Sequence, residues 1–448
     1  MRLLLAAVAC CTAVIVTAAH DWHPNLFLIG TTVLLLVLLR YARTKSVLLL
    51  VAGAALCQLP GLTHAPITST DAYRYVWDGR VQLSGSSPYS HVPLDDALAE
   101  LRDPILFPGL TPQDRSGVTG PPTANAPLED DPRTRINRPQ VPTIYPPVAQ
   151  AYFTLVALVT PWSAGTLGLQ LAAAAIAVAL TWLLAVELRR RGRDPRWAAL
   201  WGWSPIVALE AGSAAHIDVL AALLVIVALT RRRAWLVGLF LGAAGAVKLL
   251  PLLLLPAIPR LRPKFVAVST FLASYLPHLA VAGTLVVGFL PGYLNQEGFS
   301  DGSSRFAILA LVLPPEARQL VAGVLAVGLA VLALRRHGRE PVAVTCCWLY
   351  GAALLVATPT YPWYGLPLIA LAVLAGRIEW VAVPLAAYWS YASYGHDLRQ
   401  GLIQLGALAV VVITITLRHR PDADSRLISG RTAPTLIRAP DDNPATGP

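Results

Sequence analysis

The stretch Thr68-Ser-Thr-Asp71-Ala-Tyr-Arg74-Tyr75-Val-Trp-Asp78-Gly-Arg80 brings two carboxylates, two guanidinium groups and three aromatic side chains close together in the chain. Thr68 with Asp71 three residues later reads as a capping pair, which predicts a short helix from here to about Gly79. On that helix Asp71, Arg74, Tyr75 and Asp78 share one face, because residues three, four and seven apart stack. The two carboxylates then lie about 10 Å apart along the axis, too far to share a proton. The natural division is one carboxylate as proton acceptor and the other as partner of Arg74 or Arg80. Asp71 is nearest the preceding apolar run, where partial desolvation makes a carboxylate a better base. The plainer alternative is that Asp71 caps the helix and Asp78 pairs with an arginine, with no chemistry at either.

Further polar residues stand out because their surroundings are apolar. His216 and Asp218 lie in Ala214-Ala-His-Ile-Asp-Val219, and Lys248 lies deep in Gly242-Ala-Ala-Gly-Ala-Val-Lys-Leu-Leu-Pro251. A charge inside lipid costs at least ~2.5 kcal/mol, so Lys248 needs a partner: Asp218, Glu210 or an anionic substrate. Tyr361, Trp363 and Tyr364 belong to Thr358-Pro-Thr-Tyr-Pro-Trp-Tyr364, either anchors at a membrane interface or contacts for a ligand. The loop Pro291 to Arg305 carries Glu297, Asp301 and Arg305. Asp422-Ala-Asp424 has the spacing of a metal-holding carboxylate pair, but a chain end rich in Pro, Asp and Arg cannot preorganise one. No metal site is expected.

The elements that must position these residues are membrane helices. The 448 residues are 55% apolar and 13% charged, with a mean hydropathy of +0.58. So few polar groups cannot cover a soluble surface, which excludes soluble globular, disordered and collagen-like classes. Apolar runs fall at 3–19, 26–39, 46–60, 146–161, 166–188, 197–212, 217–230, 234–259, 265–290, 319–334, 341–357, 364–376, 380–393 and 400–417. The first is taken as an uncleaved span. Several are short or interrupted by proline, as at Pro251 and Pro256, which suggests helices broken around a polar cavity. The net charge of +10 comes from arginines clustered at the ends of runs, at 40–45, 189–196, 231–233, 260–264 and 335–339. That distribution marks cytoplasmic loops and not a nucleic-acid groove. It puts the 85-residue segment 61–145 outside, together with the segments around Arg305, Tyr361 and Tyr394. That loop holds ten of the 25 acidic residues and twelve of the 37 prolines. One parity conflict arises: 146–161 and 166–188 cannot both cross if 189–196 is cytoplasmic, so 146–161 lies along the interface or the charge rule fails there. The expected organisation is a membrane domain over 1–417 and a disordered cytoplasmic tail over 418–448. The five cysteines all sit in apolar runs and read as packing residues.

Asp71 to Arg80, Ile144 to Gln150, His216-Ile-Asp218, Val247 to Pro251, Gly288 to Tyr293 and Pro359 to Tyr364, in this order and spacing, resemble one known group. The chain is similar over most of 46–400 to the polyprenyl-phosphate-mannose-dependent mannosyltransferases of the GT-C fold, which build actinobacterial glycolipids. The resemblance implies an all-α polytopic bundle of about 11–13 transmembrane helices with a large first external loop. It implies a multi-pass protein of the plasma membrane with its active site on the outer face. Asp71 matches the acidic catalytic base of that loop. The implied donor is a polyprenyl-phosphate sugar, used without cofactor or metal, and the acceptor a glycolipid or lipid-anchored glycan. Arg74, Asp78, Arg80, His216, Asp218, Lys248, Tyr361, Trp363 and Tyr364 are then the expected substrate-binding residues. Relatives often carry histidine where this chain has Tyr361, so a phosphate-binding role there would pass to another group such as His216, Lys248 or His396. The absence of a Gly-rich phosphate loop argues against a nucleotide-sugar donor. A lipid-linked sugar flippase or transporter is the competing class, although transporters tend to show internal repeats and ionisable groups at the midplane. A noncatalytic assembly subunit is a third.

Overall fold

Backbone groups in lipid must be satisfied within their own segment, so apolar runs of this length fold as helices. The computed structural model describes residues 2–20, 24–41, 45–114 and 131–418, and every regular element among them is helical. The Asp422–Asp424 pair and nearly all of the tail lie outside the described residues. The elements used below are α1 (Arg2–Ala19), α2 (Pro24–Tyr41), α3 (Val47–Gln58), α4 (Asp71–Leu83), α5 (Pro147–Val159), α6 (Leu167–Arg190) and α7 (Asp218–Thr230). They continue as α8 (Ala234–Gly245), α9 (Leu261–Ser274), α10 (Pro315–Arg335), α11 (Val342–Val356), α12 (Leu366–Ala375), α13 (Ala382–Tyr391) and α14 (Asp397–Arg418).

Among the described residues five helices are long and apolar enough to cross a membrane: α2, α6, α10, α14 and the stretch Leu261–Gln296 that begins with α9. A sixth is gained if Pro205–Ser213 and α7, bent by 116°, form one broken span. Six shorter apolar helices accompany them among the described residues, so the expected 11–13 crossings are met by length alone in only about half. The interruptions expected near Pro251 and Pro256 are real: α8 stops at Gly245, and Leu250–Ala257 is a 3₁₀ stretch. Close packing rests on small residues, as it does between helices in lipid. On α8, a Cβ at Gly238 would come within 2.5 Å of the Pro263 carbonyl oxygen, and one at Gly242 within 2.3 Å of that of Ala267 on α9.

The ends of the helices sort by charge. Arg189 at the end of α6 donates to the Lys45 carbonyl before α3, and Arg191 to Leu229 near the end of α7. Arg193 donates to Leu374 at the end of α12, and Arg418 closes α14 against Glu379 at 3.1 Å. Arg191, Arg231, Arg232 and Arg260 line one recess there. The start of α4, the start of α7 and the residues before α12 meet at the opposite end, around Asp71.

α5 bears on the parity conflict. Its 13 residues span only about 20 Å, and it runs alongside α4 with Gly79 of α4 against the backbone of Phe153. Thr160 then crowds Gly168 in the first turn of α6, which turns the chain back directly after α5. Leu155, Leu158 and Val159 stay exposed on its outer face.

Two local readings of α4 are corrected. Thr68 does not cap it; the Asp71 amide donates to Ser69 Oγ at 3.1 Å. Nor does the helix end at Gly79, which serves the close approach of α5 while α4 continues to Leu83.

Candidate active site

Asp71 opens α4 and faces a chamber of about 490 Å³, a volume suited to a small-molecule group. Asn137 Nδ2 donates to Asp71 Oδ1 at 2.5 Å. The hydroxyls of Tyr145 and Tyr75 donate to Oδ2 at 3.2 and 3.3 Å. Tyr75 is itself fixed by stacking on Phe153, 4.5 Å between centroids, and by an edge contact with Tyr145. Burial, with the Asp71 carboxylate next in effect, holds the Tyr145 phenol well above its usual range, so it stays a donor. The carboxylate is thus oriented by three neutral donors and pairs with none of the nearby cations.

The second carboxylate of the stripe does different work. Asp78 is fully buried and accepts from Arg74 Nε at 2.9 Å, from the Thr143 hydroxyl at 2.6 Å and from Gln150 Nε2 at 2.9 Å. It ties α4 to α5 and to the irregular segment before it. Arg74 then donates to the carbonyl oxygens of Val141 and Arg138, which folds residues 137–145 back over the start of α4. That fold is what delivers Asn137 to Asp71.

The opposite wall carries cations and aromatics. Lys248 Nζ lies 2.7 Å from Asp218 Oδ2 and 4.0 Å from the centre of the Tyr364 ring. Tyr293 and Tyr364 hydroxyls are 3.0 Å apart. Arg138 and Arg305 both pair with Glu297, the former at 2.7 Å, and the Tyr361 hydroxyl donates to the same carboxylate at 2.9 Å.

Of the residues singled out in the sequence, Asp71, Arg74, Lys248, Tyr361, Trp363 and Tyr364 line this chamber. Asp78, Arg80, His216 and Asp218 do not. Asp78 is consumed by its three buried donors. Arg80 points to the far side of α4, where it pairs with Asp103 and lies over Trp162. His216 is buried in the bend before α7, with Nδ1 2.6 Å from Glu210, and backs the chamber by stacking on Trp363 at 4.0 Å. Asp218 reaches the chamber only through Lys248. Asn137 and Arg138 are not legible in the sequence, because they lie in an irregular, Pro-flanked segment with no periodicity to expose them. In the structure Arg138 has a φ of 48°, left-handed, a conformation that a non-glycine residue holds only under constraint.

A second cavity of about 430 Å³ shares Ile67, Thr68, Trp363 and Tyr391 with the first and extends among Ala18, Pro24 and Leu28 of the first two helices.

The model of glycosyltransferase family 87 matches residues 143–359. The matched segment contains Tyr145, Asp218, Lys248, Tyr293 and Glu297, and it excludes Asp71, Arg138 and Tyr361 to Tyr364. It indicates a glycosyltransferase. No curated protein and no solved structure gives a significant match to the chain.

Proposed function

We propose that the protein is a membrane glycosyltransferase that moves a sugar, mannose by the resemblance of its motifs, from a polyprenyl-phosphate donor to a hydroxyl of a glycolipid or lipid-anchored glycan on the outer face of the plasma membrane. The acceptor oxygen attacks the anomeric carbon from the side opposite the phosphate. The new C–O bond forms as the bond to the phosphate oxygen breaks, with inversion of configuration. Asp71 takes the hydroxyl proton, and polyprenyl phosphate leaves with the electron pair. The chamber holds the reacting groups together, and its cationic wall favours the charge that gathers on the leaving phosphate. The adjoining cavity among α1, α2 and α13 gives an apolar path for a prenyl chain.

The observation that carries this reading is the Asp71 carboxylate, partly exposed to the chamber and held by Asn137, Tyr145 and Tyr75 without a cationic partner. Asp78, by contrast, is buried in an ion pair with Arg74. Asp71→Asn keeps the volume and removes the basic oxygen. Purified Asp71→Asn given polyprenyl-phosphate mannose and an acceptor glycolipid is expected to lose 100-fold or more of its turnover, in the range for a lost general base, while still binding donor. Undiminished transfer by this variant overturns the assignment. Movement of intact donor lipid across vesicles by the wild type, with no new glycosidic bond, would instead identify a transporter.

A further inference from the structure

We infer that Arg138 is the group that binds the donor's phosphate, an inference that rests on the transferase reading of the same chamber. Charge arithmetic along the chamber wall opposite Asp71 singles it out. Lys248 is matched one to one by Asp218 at 2.7 Å, so that pair is neutral. Glu297 is shared by two guanidinium groups, Arg138 and Arg305, which leaves one positive charge in surplus. Arg305 is spent on the Glu297 side chain and on the carbonyl oxygens of Glu297 and Pro359, and it does not line the chamber. Arg138 lines it, and gives Glu297 only Nη2. Its Nη1 is buried with no hydrogen-bond partner among the described residues.

The backbone supports the same conclusion. Arg138 is held at a φ of 48°, and its carbonyl accepts from Arg74 at 3.3 Å. Tyr293 lies under its guanidinium, 5.0 Å from ring centre to carbon. A strained residue clamped by Arg74, Glu297 and Tyr293 while one donor is left unmet is a preformed cradle for an oxyanion. Asn137, its neighbour, donates to Asp71. One dipeptide therefore supports the base and presents the phosphate ligand on the same chamber. The ligand class is a phosphate monoester or diester of a long prenyl alcohol.

The test uses the full chain in detergent micelles with two probes, undecaprenyl phosphate and the phosphate-free undecaprenol, with binding read by native mass spectrometry. Wild type is expected to prefer the phosphate. Arg138→Gln is expected to weaken undecaprenyl phosphate at least 10-fold and leave undecaprenol unchanged. Arg232→Gln, at the opposite end of the bundle, is expected to match wild type. Unchanged phosphate binding in Arg138→Gln overturns the inference. Should that variant not fold, Arg138→Lys replaces it: the charge remains but the planar fork is lost. A threefold or greater loss for the phosphate alone supports the assignment, and wild-type binding overturns it. A wild type that binds undecaprenyl phosphate but transfers no sugar removes the transferase reading and leaves the phosphate site standing. Transfer by the wild type with undiminished binding in Arg138→Gln removes the site alone. A wild type that does not prefer the phosphate removes both.

Discussion

Three neutral donors converge on the Asp71 carboxylate, and under the proposed base role they orient the anion without the neutralisation a cation would bring. Hydrogen bonds to a charged group contribute about 1.5–3 kcal/mol each. Asn137→Ala is therefore expected to lower kcat roughly 10-fold to 100-fold, with a smaller change in the KM for donor. A steady-state comparison checks it, and a pure KM effect would move Asn137 from supporting the base to binding substrate. Tyr145 adds a pH consequence. Burial and the neighbouring carboxylate hold its phenol well above its usual range, so the proton it donates to Asp71 is retained through alkaline solution. The kcat profile is expected to stay level from pH 7 to about 9, whereas a fall there, absent in Tyr145→Phe, would show that this phenol titrates. Asp71 and Asp78 were both legible in the sequence, since a helical period fixes their face and their separation. Their division of labour was legible in form, one carboxylate free and one paired. The residues that complete the division, Asn137, Thr143 and Gln150, come from segments more than 60 positions away and carry no periodic signal.

At the scale of the elements, α4 and α5 form one unit pinned by Asp78 and closed at Gly79. Removing the carboxylate leaves the buried Arg74 guanidinium without its counter-charge, a loss of about 3–5 kcal/mol for a buried pair. Asp78→Ala is expected to lower the thermal midpoint by several degrees and, because Arg74 also holds the 138–141 backbone, to reduce transfer. A melt that matches wild type would show that Asp78 is not the hub of this unit. At Gly79 any side chain meets the Phe153 carbonyl oxygen at 2.6 Å. The sequence invited a helix end there because glycine commonly terminates helices, but the same absence of a side chain also permits close helix crossing. Only the position of α5 decides between the two. His216 shows a similar limit. Lipid makes a histidine conspicuous, but the bend of 116° that turns it toward Glu210 and behind Trp363 depends on a broken backbone that composition does not specify. Lys248 was legible for the opposite reason: its cost in lipid demands an acid, and Asp218 is the one that meets it.

On the scale of the whole molecule, the arginine clusters and the chamber occupy opposite ends of the helices, and the chain charge supplies a direction. Arginine-rich loops are retained on the cytoplasmic side during insertion. On that rule the proposed orientation has the recess around Arg191, Arg231, Arg232 and Arg260 toward the cytoplasm and the chamber of Asp71, Lys248 and Arg138 toward the outside. This direction matters to mechanism because it decides which leaflet supplies donor and acceptor. Cysteine labelling tests it, since the native thiols Cys11, Cys57, Cys346 and Cys347 are buried and Cys10 is partly so. Ser84, just beyond α4, and Arg232, between α7 and α8, are both exposed. In intact cells a membrane-impermeant maleimide is expected to label Ser84→Cys, and to label Arg232→Cys only after the membrane is opened. The reverse pattern would place the chamber in the cytoplasm. A donor and acceptor drawn from the outer leaflet would then be unable to reach Asp71, whatever the geometry around it.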